Sequence, residues 1–430
     1  MNRLFVFREF KGAYERVGML ERRDAQTRFS YCDDYLASAH AQPISALLPL
    51  GDRPFNATAT RVFFDALTPE GSLRRAVRAL TRTEGEDYFE ILDLLRNEPI
   101  GALVFSDDEE LAGLHRAYEP LAFEAVRRFA SSPAEESLSF TAKSRISLAG
   151  AQQKIGLYHV GDDPRSGWYL PMGAAPSTHI LKVCSGSFPR ETVCEALCLR
   201  AAKLLDLSAC DCFLVDAGGR EPVLAVERYD RRFEDGDVRR VDGLPVPMRL
   251  HQEDMCQASG VPSSLKYEPT DANYLNLMAH ALRRNSTDFN GDRFMLAYYE
   301  LFHYLVGNCD NHLKNWSMLW SEDWESRTLA PLYDVVGTTI YPSLLREMGV
   351  SLCASRVIDA VGREDVVQRL RTIGISGPIA ESIVADMADG VSEALAEAAQ
   401  GLSDEGFPDA ATVFALMSPG VQERAERLRG

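Results

Sequence analysis

The spacing of apolar residues changes near Gln252, and this change limits the folds that the 430-residue chain can adopt. Before it, short apolar runs bounded by turn residues predict β-strands; after it, apolar residues recur at the helical spacing i, i+3, i+4. The predicted strands are 144–148, 154–158, 168–170, 179–183, 212–215 and 223–228, with a helix at 190–205. The predicted later helices are 253–258, 271–284, 292–306 and 381–400. We therefore predict an α+β fold in which a small mixed lobe is followed by a mostly helical lobe.

The length predicts more than one folded part, because 430 residues exceed what one ordinary hydrophobic core serves. A polar stretch rich in Ser and Glu at 131–137 predicts a border near residue 140. We expect an N-terminal subdomain at 1–140, a strand-rich small lobe at 141–235 and a mostly helical lobe at 236–430. Such a division predicts a cleft between lobes.

Composition and charge exclude several classes of protein. The chain is 46% hydrophobic and 25% charged, values typical of a globular protein that folds in water. Its net charge of −17 disfavours direct wrapping of nucleic acid, which needs clustered Lys and Arg. Nine scattered cysteines favour reduced thiols over disulfides or a zinc cluster. No apolar stretch is long enough to span a membrane, so we expect a cytoplasmic protein.

The stretch 307–315, Gly-Asn-Cys-Asp-Asn-His-Leu-Lys-Asn, follows a predicted helix and carries the most informative spacing in the chain. Asp310 and Asn315 stand at the interval at which protein kinases place a catalytic Asp and a metal-binding Asn. The carboxylate would accept the proton of a substrate hydroxyl, and the amide oxygen would bind magnesium. Asp and Asn are also common turn formers, so the spacing alone is more typical of a capped loop than of a catalytic site.

A second carboxylate follows the loop at the distance of a β-hairpin. After the apolar run 316–320 come a polar turn at 321–327 and then 328–335, which predicts a returning strand that ends in Asp334. Kinases present their second metal-binding Asp after such a hairpin, and here it stands in Tyr-Asp-Val. Carboxylate and amide oxygens suit Mg²⁺, so Asp310, Asn315 and Asp334 predict a magnesium-dependent phosphoryl-transfer site.

Two further residues of the loop have less specific roles. His312 is expected to brace the loop by a hydrogen bond, because no second His or Cys lies nearby as a co-ligand. Lys314 is either close to the transferred phosphate or a solvated charge. Neither side chain is expected to contact the metal.

A lysine in a predicted strand is a candidate for holding nucleotide phosphates. Lys182 lies in the apolar run 179–183, where a cation without a partner is costly. Glu195 on the following helix is the natural partner, and Glu191 is a rival. The alternative interpretation is an exposed lysine on an edge strand.

Two more segments suit a nucleotide. Residues 147–154, Ser-Leu-Ala-Gly-Ala-Gln-Gln-Lys, place small side chains between two predicted strands, so backbone N–H groups can approach a phosphate closely. The segment matches neither of the common glycine-rich phosphate motifs. Residues 226–231 end the last predicted strand where a kinase hinge would run, offering backbone groups to adenine and Asp230 to the ribose.

Seven segments, in this order, resemble the HipA family of toxin kinases, and the resemblance covers about residues 45–345. They are 147–154, 176–182 (Pro-Ser-Thr-His-Ile-Leu-Lys), 226–230 (Val-Glu-Arg-Tyr-Asp), 249–254 (Arg-Leu-His-Gln-Glu-Asp), 266–268 (Lys-Tyr-Glu), 308–315 and 329–334 (Leu-Ala-Pro-Leu-Tyr-Asp). Residues 51–54 and 63–65 also resemble the N-terminal subdomain of that family, which favours its long form. Gln153 stands where an acidic residue is common and Cys194 where Asn is expected, so both depart from the family pattern.

The resemblance implies a two-lobed kinase-like fold, with ATP and Mg²⁺ as cofactors and 141–235 as the nucleotide-binding part. It implies Asp310 as the base, Lys182 as the phosphate-binding cation, and Asn315 and Asp334 as metal ligands. The expected nucleotide site comprises Ala149, Gly150, Ala151, Gln152, Lys154, Lys182, Glu227, Tyr229, Asp230, His312 and Lys314. The resemblance also implies autophosphorylation at Ser147, which switches the kinase off; Ser144 is an alternative acceptor.

Cellular partners are implied by the resemblance as well. Family members phosphorylate aminoacyl-tRNA synthetases, notably the glutamyl enzyme, and so slow growth into a persister-like state. A small helix-turn-helix antitoxin, HipB-like, neutralises the toxin and binds operator DNA, which agrees with the acidic charge of this chain. A second hypothesis is a catalytically silent kinase-fold module that acts as co-repressor with the antitoxin. A third, a metal-dependent hydrolase built on Asp310 and His312, lacks further ligands at usable spacing.

Overall fold

The computed structural model describes residues 2–24, 26–70, 74–75, 88–94, 101–111, 114–144, 153–184, 186–233 and 239–430. Of residues 141–144 it describes the backbone only. The chain divides into two compact units whose segments interleave in sequence. The mixed unit comprises Met1–Val183, Val215–Ser263 and Leu319–Ser326; the helical unit comprises Cys184–Leu214, Ser264–Met318 and Arg327–Gly430. This division differs from three consecutive parts, since 184–214 joins the helical unit and the described residues of 236–263 join the mixed unit.

One antiparallel sheet of the mixed unit combines three consecutive strands with a fourth strand from much later in the chain. Its strands are β1 (Arg3–Phe10), β2 (Ala13–Arg23), β3 (Gln26–Tyr31) and β4 (Leu103–Ser106), in the order β3-β2-β1-β4. The helix Ala57–Ala66 packs on this sheet: the ring of Phe64 lies 5.3 Å from that of Phe29 and 6.1 Å from that of Phe105. These aromatic side chains are buried and form the core of the N-terminal part.

The second sheet of the mixed unit carries the strands predicted around the nucleotide site. The strands are β5 (Arg116–Pro120), β6 (Lys154–His159), β7 (Trp168–Gly173), β8 (His179–Lys182) and β10 (Val223–Glu227). Strand β9 (Cys212–Val215) precedes β10 in the chain, and only its last residue belongs to the mixed unit. Within the unit their order is β5-β7-β6-β8-β10, and neighbours are antiparallel. The strand predictions from residue 154 to residue 228 are therefore confirmed.

Two predictions near residue 140 differ from the structure. The polar stretch at 131–137 does not separate two parts as an irregular connection; it joins the helices Phe123–Ser131 and Pro133–Ser144 through Ser132. Ser and Glu favour helix starts as well as loops, so composition alone misled here. Strand β5 also lies before the predicted border, yet it pairs with β7. The predicted strand at 144–148 has only Ser144 among the described residues, and Ser144 ends a helix.

The segment from Arg249 to Asp254 joins the two sheets of the mixed unit. Arg249 donates to the hydroxyl of Tyr14 (2.6 Å) and to the carbonyl of Ala174 (3.1 Å). The carboxylate of Glu253 accepts from the hydroxyl of Ser45 (2.6 Å), and a ring nitrogen of His251 lies 2.7 Å from the carbonyl of Ile44. These buried contacts give the segment a structural role inside its unit.

The helical unit is built from long amphipathic helices. They are Glu191–Leu204, Tyr274–Asn285, Phe289–Val306, Arg363–Thr372, Gly377–Asp404 and Asp409–Arg429. The helix Gly377–Asp404 buries Val384, Met387, Val391 and Leu395 at three- and four-residue intervals against Glu191–Leu204 and Asp409–Arg429. The predicted helices are confirmed with shifted ends, and so is the predicted fold class. Among the described residues no helix combines the length and apolar character needed to cross a membrane.

Candidate active site

The loop that carries Asp310 begins where the helix Phe289–Val306 ends. Gly307 caps this helix with a φ of 77°, a left-handed conformation that glycine adopts without a steric cost. The amide of Cys309 donates to the hydroxyl oxygen of Thr338 (2.8 Å), and that hydroxyl donates to the carbonyl of Gly307 (3.1 Å). The side chain of Asn308 accepts from the amide of Asp310 (2.9 Å). The loop is therefore fixed before it reaches Asp310, whose side chain is exposed.

The interval between Asp310 and Asn315 closes a single turn. The amide nitrogen of the Asn315 side chain donates to the carbonyl of Asp310 (2.8 Å), and the backbone amide of His312 donates to the same carbonyl (2.8 Å). The bond uses the Asn315 nitrogen, so the amide oxygen remains as the atom that can bind a cation. The structure thus brings the predicted base and the predicted metal ligand together.

Asn311 holds the loop from the inside, a role that the sequence predictions missed. Its side-chain nitrogen lies 3.0 Å from each carboxyl oxygen of Glu300, and its oxygen accepts from the amide of Val350 (3.1 Å). Burial, and next the charge of Glu268, raises the pKa of Glu300 well above its usual value. A glutamate in the apolar face of a long helix was the available signal, because a buried acid needs a partner.

A glycine packs directly against the same loop. A Cβ atom on Gly349 would lie 2.7 Å from the backbone nitrogen of His312 and 2.9 Å from the carbonyl carbon of Asn311. The amide of Gly349 donates to the carbonyl of Cys309 (3.0 Å). Only glycine allows this approach, so the backbone at Gly349 helps to set the path of the loop.

The segment that leads to Asp334 forms a strand only at Arg327–Leu329 and not over the predicted 328–335; beyond Leu329 it is held by contacts inside the helical unit. Leu332 donates to the carbonyl of Ser208 (2.9 Å) and accepts from the amide of Cys210 (2.9 Å). The hydroxyl of Tyr333 donates to the carbonyl of Lys314 (3.0 Å). Tyr333 thereby links the residue before Asn315 to the residue before Asp334.

Asp334 itself has a strained backbone. Its φ is 53°, a region that costs a residue other than glycine about 1 kcal/mol and persists only where the surroundings impose it. Three residues later, the amide of Gly337 donates to the thiol of Cys194 (3.3 Å). A Cβ on Gly337 would lie 2.9 Å from the carbonyl oxygen of Val306. The buried thiol of Cys194 therefore fixes the segment after Asp334. This contact is a structural reason for a Cys at position 194, where the family pattern has Asn.

The chemistry of the predicted metal ligands fits Mg²⁺. Mg²⁺ is usually held by one or two protein oxygens together with phosphates and waters, and less often by an all-protein cage. Asn315 offers an amide oxygen and Asp334 a half-buried carboxylate. In the part of the chain that the structure describes, no group of three or more His, Cys, Asp or Glu side chains is arranged to hold a metal. The set therefore suits a cation that arrives with a nucleotide.

In the mixed unit, Lys182 lies on the sheet that was predicted to carry it. It is 4% exposed in β8, and its register partner on β6 is Lys154. Two lysines in directly opposite positions repel each other, which favours a nearby anion. Glu195 is 1% exposed in the helix Glu191–Leu204, and its pairing with Lys182 stays a prediction.

Asp230 does not have the surroundings expected of a ribose ligand. Its carboxylate accepts from Arg228 at 2.9 and 2.8 Å and from the amide of Gly101 at 3.0 Å, and it forms an ion pair with Arg231 at 3.0 Å. Although burial would raise the pKa of Asp230, the two guanidinium groups hold it well below its usual range. The carboxylate is thus saturated inside the mixed unit. Glu227 is exposed, and the hydroxyl of Tyr229 donates to the side chain of Gln252.

Several predicted residues lie outside the described part of the chain. They are Ser147, Ala149, Gly150, Ala151 and Gln152, and the side chain of Ser144. In the loop, His312 is buried, and its ring meets that of Tyr267 edge-on with centroids 5.0 Å apart. The hydrogen bond by which His312 was predicted to brace the loop stays a prediction. Both roles predicted for Lys314, closeness to the transferred phosphate and a solvated charge, stay predictions.

Known proteins resemble this chain over nearly its whole length. A family model described as HipA-like C-terminal domain matches residues 146–395, and one described as HipA N-terminal domain matches residues 12–106. A candidate kinase of Sinorhizobium fredii, Y4mE, is 31% identical over 392 residues, which cover 89% of each chain. The serine/threonine-protein kinase toxin HipA of Shewanella oneidensis is 26% identical over 324 residues, 72% of this chain and 70% of that one. A solved HipA from the same organism, in complex with HipB and operator DNA, has a TM-score of 0.81 at 21% identity and covers 99% of this chain and 97% of its own.

Proposed function

The chain belongs to the HipA family of serine/threonine kinases, and we propose that it transfers the γ-phosphate of ATP to a serine of a cellular protein. The observation that carries the proposal is the turn in which Asn315 binds the carbonyl of Asp310 while the Asp310 carboxylate stays exposed. An exposed acid on a loop fixed by buried contacts suits a base that must meet a protein hydroxyl.

In the proposed reaction, Asp310 accepts the proton of the attacking serine hydroxyl. Asn315 and Asp334 would hold Mg²⁺, which when bound neutralises charge on the phosphates. The strained backbone of Asp334 supports this role, because such strain clusters at functional sites. The opposed pair Lys154 and Lys182 would attract the nucleotide phosphates.

The nucleoside would lie near Glu227 and Tyr229, and the phosphates near the loop 149–152. Asp230 is left out of the proposed site, because two arginines and a backbone amide already saturate its carboxylate. His312 and Lys314 would support the loop and approach the transferred phosphate, respectively.

Incubation of the purified chain with labelled ATP and Mg²⁺ tests the kinase reaction. We expect label on serine in the wild type and none in Asp310→Asn, because an amide cannot take the proton. Asp271→Asn, which changes an exposed acid of the same unit, is the matched control and should keep the label. A wild type that binds ATP yet labels no serine would contradict the proposal.

We propose Ser147 as the site of autophosphorylation, with Ser144 as the alternative. A phosphate beside the nucleotide phosphates adds up to about two negative charges and would repel ATP. Peptide mapping of the labelled chain distinguishes the two serines. Ser147→Ala should lose the label and keep phosphorylating other proteins for longer; label that stays in place would move the site to Ser144.

The biological role proposed is that of a toxin in a toxin–antitoxin pair. The protein substrate would be an aminoacyl-tRNA synthetase such as the glutamyl enzyme, and a HipB-like antitoxin would neutralise the kinase and connect it to operator DNA. Expression alone should arrest growth, and Asp334→Ala should relieve the arrest. Arrest that survives this change would favour a catalytically silent binding module. Phosphoproteomics after induction would identify the substrate.

A further inference from the structure

The hydroxyl of Tyr267 donates a hydrogen bond to a carboxylate oxygen of Asp310, at 2.5 Å. Tyr267 is 46% exposed, so its side chain can rotate away without disturbing the core. Its ring meets the buried ring of His312 edge-on. A phenol therefore occupies the exposed side of the proposed base.

The backbone around Tyr267 is anchored on both sides. Before it, the carbonyl of Lys266 accepts from the amide of Leu313 (3.1 Å), which belongs to the loop of Asp310. After it, the buried carboxylate of Glu268 accepts from the amide of Tyr274 (2.8 Å) and from Ser351. The fold thus directs the Tyr267 side chain to Asp310, while the exposed ring stays movable.

We propose that the Tyr267 hydroxyl is bound to the Asp310 carboxylate in the place of the substrate's serine hydroxyl. A protein substrate would displace it when its own serine binds there. The inference rests on the proposed function, because it needs Asp310 as the base. The base of a kinase accepts a hydrogen bond from the substrate's hydroxyl before the phosphoryl group is transferred. The phenol of Tyr267 is an O–H donor of the same kind. Tyr267 would be a specificity-determining residue that favours a protein hydroxyl over water.

The competing reaction with water shows what Tyr267 would prevent. Water beside Asp310 would attack the γ-phosphorus of ATP: its oxygen would form the new P–O bond, the bond to the bridging β–γ oxygen would break, and ADP would leave. The water proton would pass to Asp310. A phenol bound to Asp310 excludes this water, and a seryl hydroxyl on a docked protein has many contacts with which to compete.

The test measures steady-state release of inorganic phosphate from ATP and Mg²⁺ with no protein acceptor. All variants carry Ser147→Ala, so that self-inactivation does not limit turnover. Tyr267→Phe keeps the ring packing and should raise hydrolysis about tenfold, the factor for a hydrogen bond to a charged group after allowance for exposure. Tyr298→Phe, a half-buried tyrosine of the helix Phe289–Val306, is the matched control and should hydrolyse ATP like the parent.

A second measurement tests the contact without turnover. N-Acetylimidazole acetylates accessible phenols, and peptide mass spectrometry reports the rate at Tyr267. We expect faster acetylation in Asp310→Ala, because the hydroxyl loses its acceptor; an unchanged rate would overturn the inference.

The outcomes separate the two proposals. If Tyr267→Phe hydrolyses ATP no faster than Tyr298→Phe, the role of Tyr267 is overturned. The kinase reaction is not affected by that result. No hydrolysis in any variant, together with no serine label in the wild type that keeps Ser147, although ATP binds, rejects the proposed function and the inference with it.

Discussion

Replacement of Glu300 by Gln should change how the stability of the helical unit depends on pH. The Glu300 side chain is fully buried, and its carboxyl oxygens face the amide nitrogen of Asn311. Burial raises its pKa most, and the charge of Glu268 adds to this; Asn311 and Arg369 act in the opposite direction. The carboxyl therefore keeps its proton in the folded chain at pH values at which the unfolded chain has lost it.

The sign follows from proton linkage. The stabilising contribution of Glu300 is fully present below the unfolded pKa of 4.5 and is lost as the pH rises towards the raised folded pKa. Within that window the free energy of unfolding falls by about 1.4 kcal/mol per pH unit. Glutamine has nearly the same shape and does not ionise. The stability of Glu300→Gln relative to wild type should therefore rise with pH above 4.5, by up to about 1.4 kcal/mol per pH unit, until the raised folded pKa is reached.

Hydrogen exchange of peptides covering 308–316 measures this difference where it arises. The free energy of opening should fall with pH in wild type and stay nearly level in Glu300→Gln. The matched control is Glu381→Gln, an exposed acid on the helix Gly377–Asp404, which should follow wild type. A difference between Glu300→Gln and wild type that is independent of pH would refute the reasoning.

Three further predictions concern the backbone and the buried ion pairs. Gly349→Ala should lower the unfolding free energy by about 2 kcal/mol and abolish labelling, because its Cβ would clash with the backbone of His312; an unchanged melting temperature would contradict this. Asp230→Asn should cost about 3–5 kcal/mol at pH 7, because Arg228 stays buried. Urea unfolding should show the loss fully above pH 3.8 and shrinking as the pH falls below it, since the folded pKa is lowered. Asp334→Gly should raise the free energy of unfolding by about 1 kcal/mol in thermal unfolding, because it relieves backbone strain, and it should abolish serine labelling. Labelling by this variant would show that Asp334 is not needed for the reaction.

Local sequence patterns determined the elements and the core of the candidate site. Apolar spacing predicted the strand His179–Lys182 and the helix Phe289–Val306, because side-chain periodicity is a property of a few neighbouring residues. The interval from Asp310 to Asn315 was readable for the same reason, since one turn closes it. The order of motifs then led to the family.

Only the tertiary structure decided which polar groups meet across long stretches of chain. Tyr267 reaches Asp310 from 43 positions away, and Gly101 reaches Asp230 from 129 positions away. The first contact is the basis of the role proposed for Tyr267, and the second is one of the buried contacts of Asp230, for which the sequence had predicted a ribose contact. A buried or charged group must find a partner, but the fold chooses that partner among distant residues, and local spacing carries no record of the choice.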